Sequence, residues 1–326
     1  MSDPTASPRP TTRLAPSPTG ALHLGNARTF VLNALLAITR GWRILLRIED
    51  LDGPRVKAGA AESLSEELAW LGLSWTPPVL VQSRRSDVYQ AALTELASKG
   101  LAYPCICSRK DIQLAGAAPH PDEAVDVYPG ACRGRFASAE QARQATGQPA
   151  AWRLRVTDEP ITVEDRFAGR RQFHLARTCG DFVICKNDGQ AAYQLAVVVD
   201  DAAGGVDCVV RGDDLLESAA RQIHLRRLLG LAPEPAYWHL PLVVGPDGRR
   251  LAKRHGDTRL SFYRRHGATQ EAVLGLIGYW SGLLDRRCEI SLDELAQRFD
   301  LARVPTEPVV FSREDHEFLM SFGRRS

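Results

Sequence analysis

The chain has 326 residues, 44% hydrophobic and 25% charged, with a formal net charge of +2 at pH 7. These values suit an ordinary globular chain of two or three domains, and no apolar run approaches the ~18–20 residues of a membrane span. Seven cysteines, an odd number, argue against a disulfide framework and for a reducing, cytoplasmic setting.

In chain order, residues 1–10 carry three prolines and no apolar core and read as a disordered leader rather than a signal peptide. Thr11–Leu14 starts a strand. Pro16, Pro18 and Gly20 force an extended turn, and from Gly25 the apolar spacing Ala27, Phe30, Val31, Ala34, Leu35, Ile38 predicts a helix ending before Gly41. A strand, tight turn and helix N-terminus direct unpaired amides and a positive dipole end at the turn, which favours an anion there. A Pro-rich turn with a surface His23 is the plainer alternative.

Arg43–Ile48 reads as a buried strand broken by Glu49-Asp50-Leu51-Asp52-Gly53-Pro54. In a doubly wound parallel sheet, Glu49 then lies beyond a strand's carboxyl end, where ligands bind; otherwise it caps its own turn. Helices are predicted over 58–71 and 87–98, closed by Gly72 and Gly100. Cys105 and Cys107, with Cys132 further on, could chelate one metal or be buried free thiols. Residues 111–126 read as a loop, and 152–156 and 161–175 as a hairpin or small antiparallel sheet. Tyr193–Asp201 fits a buried helix or a strand, and Val206–Val210 a strand delivering Arg211 to the same edge as Glu49. Arg211 could there pair a carboxylate ligand, or bridge to Asp213 or Asp214. A helix over 215–229 with an Asp213 or Asp214 N-cap follows, then a strand over 238–244, a turn at Gly245–Gly248, and the basic loop Arg249–His255. Helices are predicted over 268–283 and 292–299. Between Arg221 and His266, ten Lys/Arg stand against three acids, either a footprint for phosphates or a solvated face.

Pro16-Ser17-Pro18-Thr19-Gly20 running into His23-Leu24-Gly25-Asn26 resembles the first ATP motif of class I aminoacyl-tRNA synthetases in their glutamyl form, and the resemblance extends from about Thr12 to Phe262. It implies an α/β doubly wound parallel sheet of Rossmann type with a small zinc-binding insertion and a helical C-terminal stem-contact region. The implied boundaries are 11–101 with 190–256 for the catalytic domain, 102–189 for the insertion and 257–326 for the C-terminal region.

By the same resemblance, Arg13, Leu14, Ala15, Pro16, Ser17, Glu49, Tyr193 and Arg211 bind glutamate. Thr19, Gly20, His23, Gly25, Asn26, Arg250 and Lys253 bind ATP with Mg²⁺, and His23, Asn26 and Lys253 are catalytic. Arg250 and Ala252 depart from the second motif, which has lysine and serine there. Cys105, Cys107, Tyr128 and Cys132 match a structural zinc set, with His120 as the other candidate fourth ligand. This set, and a chain stopping where an anticodon-reading domain would begin, points to the branch that transfers glutamate to queuosine in the tRNA(Asp) anticodon loop. The alternatives are a truncated synthetase charging a tRNA 3′ end, a catalytically inactive RNA-binding paralogue, and a small-molecule nucleotidyltransferase. A monomer without membrane association is expected.

Overall fold

The computed structural model describes residues 9–18, 20–52, 59–108, 110–112, 127–249, 251 and 256–324. Most of the expected leader and most of the 111–126 loop lie outside these, as do Thr19, His120, Arg250, Ala252 and Lys253.

The first part runs β1 (Thr11–Leu14), α1 (Leu24–Arg40), β2 (Arg43–Ile48), α2 (Ala60–Trp70), β3 (Thr76–Val81) and α3 (Ser86–Ser98). Next come β4 (Ala102–Cys105), α4 (Ala139–Thr146), β5 (Ala151–Leu154), β6 (Ile161–Asp165), β7 (Gly169–Phe173), α5 (Leu175–Thr178) and β8 (Val183–Cys185). The chain returns through α6 (Tyr193–Ala203), β9 (Cys208–Gly212), α7 (Leu216–Leu228), β10 (Ala236–Leu240) and β11 (Val243–Val244). It closes with α8 (Leu260–Arg265), α9 (Gln270–Trp280), α10 (Leu292–Gln297), β12 (Val309–Val310) and α11 (Arg313–Met320).

β1, β2 and β3 pair in parallel, as do β9, β10 and β6, with β7 antiparallel at the edge. β1 lies beside β9: the Asp207 amide donates to the Thr11 carbonyl at 3.1 Å, and Arg13 Nη1 donates to the Val210 carbonyl at 3.4 Å. The chain leaves β1 toward β2 and β3 and later fills the other side with β9 and β10. The carboxyl ends of β1 and β9 therefore flank the point where strand order reverses, which opens a crevice.

Both faces are covered. Cys208, Val210, Trp238 and Leu240 pack with Val31, Leu35, Leu276 and Ile277 from α1 and α9. Val209 and Tyr237, one residue out of phase, pack with Leu96, Leu195, Val198 and Ile223 from α3, α6 and α7. Alternation along the strands thus splits one sheet between two cores.

Several expectations change. The Tyr193–Asp201 stretch is helical. The strand expected over 238–244 stops at Leu240, ahead of Pro241, and resumes as β11, which pairs with β12. Asp213 and Asp214 sit in a 3-10 turn, and α7 has no side-chain cap. The hairpin β6–β7 joins the catalytic sheet through β10 rather than the separate antiparallel sheet β4-β5-β8. No described helix is long and apolar enough to cross a membrane.

Candidate active site

One cleft at the switch point is lined by Arg13, Ala15, His23, Gly25, Asn26, Glu49, Tyr193 and Arg211, together with Asp214 and Leu251. Residues from five elements and their connections, spread over almost 240 positions, therefore meet. Leu14 does not join them: its side chain is fully buried in the sheet core. Pro16 is buried, and its carbonyl accepts from the Glu49 amide at 3.0 Å. Ser17 and Gly20 are exposed and outside the cleft lining.

His23 occupies the N-cap of α1 without a side-chain cap bond, and the first turn carries no acid. The amides of Gly25 and Asn26 fall in the first helical turn, which has no intrahelical acceptors, so the cleft wall presents donors and a positive dipole end. His23 Nδ1 lies 3.0 Å from Thr258 Oγ1. A Cβ added at Gly25 would meet Val243 Cβ at 3.4 Å, an ordinary packing contact. Arg28 turns away: Nε donates to Ser281 Oγ at 3.2 Å and Nη1 to the Pro241 carbonyl at 2.6 Å. Burial pushes its guanidinium down to about 10.

Three buried arginines, the buried Asp201 and the half-buried Glu49 form the closed end. Arg47 bonds Glu49 Oε1 through Nε at 3.2 Å and Nη2 at 2.9 Å, and also bonds Asp201. Arg13 Nε reaches Asp201 at 3.3 Å. Burial pushes the Asp201 carboxyl up, but Arg47 and Arg13 outweigh it and hold it below the usual range. Burial also pushes Glu49 up, and there Arg47 and Arg13 offset it only in part. The Glu49 carboxylate consequently gains from a further cation. Arg211, by contrast, forms no ion pair with a carboxylate among the described residues, and it gains from an anion. Tyr193, whose hydroxyl burial pushes up, feels Arg211, Glu49 and Arg13 together. A ligand with both an ammonium and a carboxylate fits this polarity.

A second cluster sits on β4 and the segment facing it. The sulfurs of Cys105, Cys107 and Cys132 all lie within 4.8 Å of one another. Tyr128 Oη is 3.3 Å from Cys105 Sγ and 3.8 Å from Cys107 Sγ. Tyr128 forms an isolated parallel bridge with Gly180. There a side chain would strike the Tyr128 carbonyl, and φ is +62°, so only glycine permits the approach. Arg153 Nε donates to Cys105 Sγ at 3.2 Å, and its guanidinium lies 3.9 Å from the Tyr128 ring centre. Three soft sulfur donors beside a fixed cation fit a thiolate-bound metal such as zinc. All seven cysteines are free thiols.

Much of the basic excess between Arg221 and His266 is tied down. Arg221 pairs with Glu217, Arg227 with Glu234 and Arg259 with Asp257. Arg226 is buried, with Nη2 donating to the Pro233 carbonyl at 2.8 Å.

Sequence reasoning missed Arg47, Asp201, His239, Asp165 and Gln222. Arg47 and His239 were findable, since each interrupts an apolar strand run with a charged or polar group.

Residues 10–317 match the model of the catalytic domain of class I tRNA synthetases (E and Q), and the chain belongs to this family. A Symbiobacterium thermophilum protein named glutamyl-Q tRNA(Asp) synthetase is 46% identical over 306 residues, covering 91% of this chain and 94% of that one. A Nocardia farcinica protein of the same name is 47% identical over 300 residues, 92% of each. Glutamate–tRNA ligase 1 of Halorhodospira halophila is 40% identical over 314 residues, 94% of this chain but 65% of that protein. The crystal structure of a glutamate tRNA ligase from Elizabethkingia meningosepticum in complex with its amino acid superposes with a TM-score of 0.79 at 28% identity. It covers 95% of this chain and 68% of that one.

Proposed function

We propose that the protein activates L-glutamate with ATP to glutamyl-adenylate and transfers the glutamyl group to queuosine in the anticodon loop of tRNA(Asp). The meeting of Glu49, Tyr193 and Arg211 with the α1 N-terminus in one cleft carries the first step. The names of the similar proteins support the acceptor. Glu49 takes the α-ammonium, and Arg211 with Tyr193 takes the side-chain carboxylate. Arg13 and the Ala15 wall flank the substrate, with Ser17 at the edge. His23, Asn26 and the helix-end amides face the phosphates, joined by Arg250 and Lys253.

The α-carboxylate oxygen attacks the α-phosphorus in line, and pyrophosphate leaves with the electron pair of the broken P–O bond. A queuosine hydroxyl then attacks the acyl carbon, losing its proton as AMP departs. Neither step needs a protein nucleophile, so positioning and charge stabilisation perform the catalysis. Mg²⁺ accompanying ATP would neutralise phosphate charge. Cys105, Cys107, Tyr128 and Cys132 would hold one structural zinc. The catalytic domain would span 11–101 and 190–256 and the zinc insertion 102–189, whose β6–β7 hairpin extends the catalytic sheet, followed by an RNA-stem region at 257–326, in a cytoplasmic monomer.

ATP–pyrophosphate exchange run across all amino acids tests the first step, and glutamate-dependent exchange is expected. Exchange absent both with and without tRNA refutes it. Nuclease digestion of tRNA(Asp) after transfer of labelled glutamate tests the second: label in the anticodon fragment is expected, and label on the terminal adenosine makes the protein a 3′-end charging enzyme.

A further inference from the structure

Arg211 is only 6% exposed, and all three of its protein acceptors are neutral. Nε donates to His239 Nε2 at 2.9 Å, Nη1 to Gln222 Oε1 at 2.9 Å and Nη2 to the Leu215 carbonyl at 3.3 Å. An arginine Nε–H can only donate, so His239 Nε2 must accept, which places the ring proton on Nδ1. That proton goes to Asp165 Oδ2, 2.6 Å away. Asp165 is fixed in turn by the amides of His239, Phe167 and Ala168 at 3.2, 2.9 and 2.6 Å. On the other arm, Gln222 Nε2 donates to Gln194 Oε1 at 2.9 Å, and Gln194 Nε2 to Ser218 Oγ at 3.1 Å.

We infer that Asp165, His239 and Gln222 are positioning residues that hold Arg211 by neutral acceptors, leaving its charge for the side-chain carboxylate of the substrate. The inference rests on the reading of Arg211 as that carboxylate's contact. A guanidinium has five N–H groups, and the three bonds above leave one on each Nη, matching the two oxygens of a carboxylate. Arg47 shows the opposite arrangement. It is bonded directly to Glu49 and Asp201, so its charge is already shared. By interposing an imidazole, the fold keeps the Asp165 carboxylate one group away from Arg211.

The arrangement is sensitive to protons. Protonated His239 would donate at both nitrogens, so two cations would meet where one hydrogen bond now stands. The groups facing His239 are Asp165 from β6, Arg211 from β9, the Leu215 backbone from the 3-10 turn, and Tyr237 on its own strand, ring centres 5.8 Å apart. Burial pushes the Tyr237 hydroxyl up to about 12, so it stays neutral throughout. Burial keeps His239 below its ordinary value. Glutamate binding should therefore weaken only as pH falls past the ordinary histidine value toward the lower one of His239.

The test is exchange kinetics on the full chain, varying glutamate and ATP separately between about pH 5.5 and 8, with folding checked by thermal melting. Gln222→Glu, an isosteric change, gives Arg211 a direct carboxylate partner and should raise the glutamate KM about tenfold or more, with the ATP KM within about threefold. His239→Gln keeps an acceptor but cannot titrate, so the acid rise in glutamate KM should disappear. Glutamate and ATP KM moving together, or an acid rise retained in His239→Gln with Gln222→Glu unaffected, overturns the inference. Wild-type protein without glutamate-dependent exchange would remove the underlying reading and this inference with it. An active wild type whose Arg211→Ala variant loses glutamate dependence, while the positioning variants change nothing, removes the inference alone.

Discussion

Leu260 donates its amide proton to the Leu22 carbonyl at 2.7 Å, and Leu24 donates to the Thr258 carbonyl at 3.0 Å. This antiparallel stitch, centred on the bridge between His23 and Arg259, joins the start of α1 to the segment just after the basic loop. Leu251, just before that loop's core, lines the cleft. Leu251 and the segment at Thr258–Leu260 are thus both held beside the α1 N-terminus.

Thr258 is 1% exposed, and its hydroxyl is the ring partner of His23. Thr258→Val removes that bond at nearly constant volume. We expect kcat for exchange to fall about tenfold, the equivalent of roughly 1.4 kcal/mol, with the glutamate KM little changed. A fall confined to glutamate binding would place the effect elsewhere.

Arg47 is the shared partner of the buried Asp201 and the half-buried Glu49, so Arg47→Met strands charge at Glu49 and leaves Asp201 with Arg13 alone. The expected loss is about 3–5 kcal/mol of unfolding free energy, read as a lower urea midpoint at unchanged slope. Arg47→Lys should recover less than half, because an ammonium cannot bond Glu49 through two nitrogens. A midpoint unaffected by Arg47→Met would refute this.

The thiol cluster should bind zinc with release of protons. Burial, the hydrogen bond it donates to Cys132 and the neighbouring thiols push the free Cys107 thiol up to about 12, so a metal must displace its proton near neutrality. Apparent affinity therefore rises with pH. Calorimetric zinc titration in two buffers of different ionisation heat measures the released protons; equal heats would count against thiolate ligation. Arg153→Met should weaken binding about tenfold.

Acid should reduce stability in two stages. Burial lowers His239 and His224 from the ordinary histidine value, so unfolding lets them take up protons. Their contribution is complete above about pH 6.5 and declines as pH falls toward their folded values. Asp201 and Asp165 are pushed up by burial yet held below the usual carboxylate range, by Arg47 and Arg13 in one case and by His239 and backbone amides in the other. Their contribution is complete above about pH 4 and is lost below it. Urea midpoints measured against pH should fall in both windows, and His239→Gln should shrink the upper one.

The parts read from sequence were those whose physics is local. The β1–turn–α1 unit showed in its prolines and its helical period, and α10 in its helical pattern over 292–299, where a Ser291-x-x-Glu294 capping box starts the helix. The same signal, Ser312-x-x-Asp315, starts α11 and passed unread. β3 was hidden because Pro77 and Pro78 look like strand breakers. Among the described residues it pairs only with β2, and an edge strand tolerates missing donors. The Tyr193–Ala203 helix was ambiguous because a Val run suits a buried element of either kind until its neighbours are known.

The sequence alone singled out the candidate groups: the amide-rich turn and the three thiols by residue type and short spacing, Glu49 and Arg211 by their places at strand ends, and Tyr193 by the family resemblance. The tertiary structure decided which of those groups carry uncompensated charge. Asp201 takes the arginines of β1 and β2, while Arg211 is left to neutral acceptors from β10 and α7. That division follows from which side chains the sheet order places within hydrogen-bond reach, at separations of 150 residues and more. No local pattern contains it, since burial and pairing are properties of the packed sheet and not of any one strand.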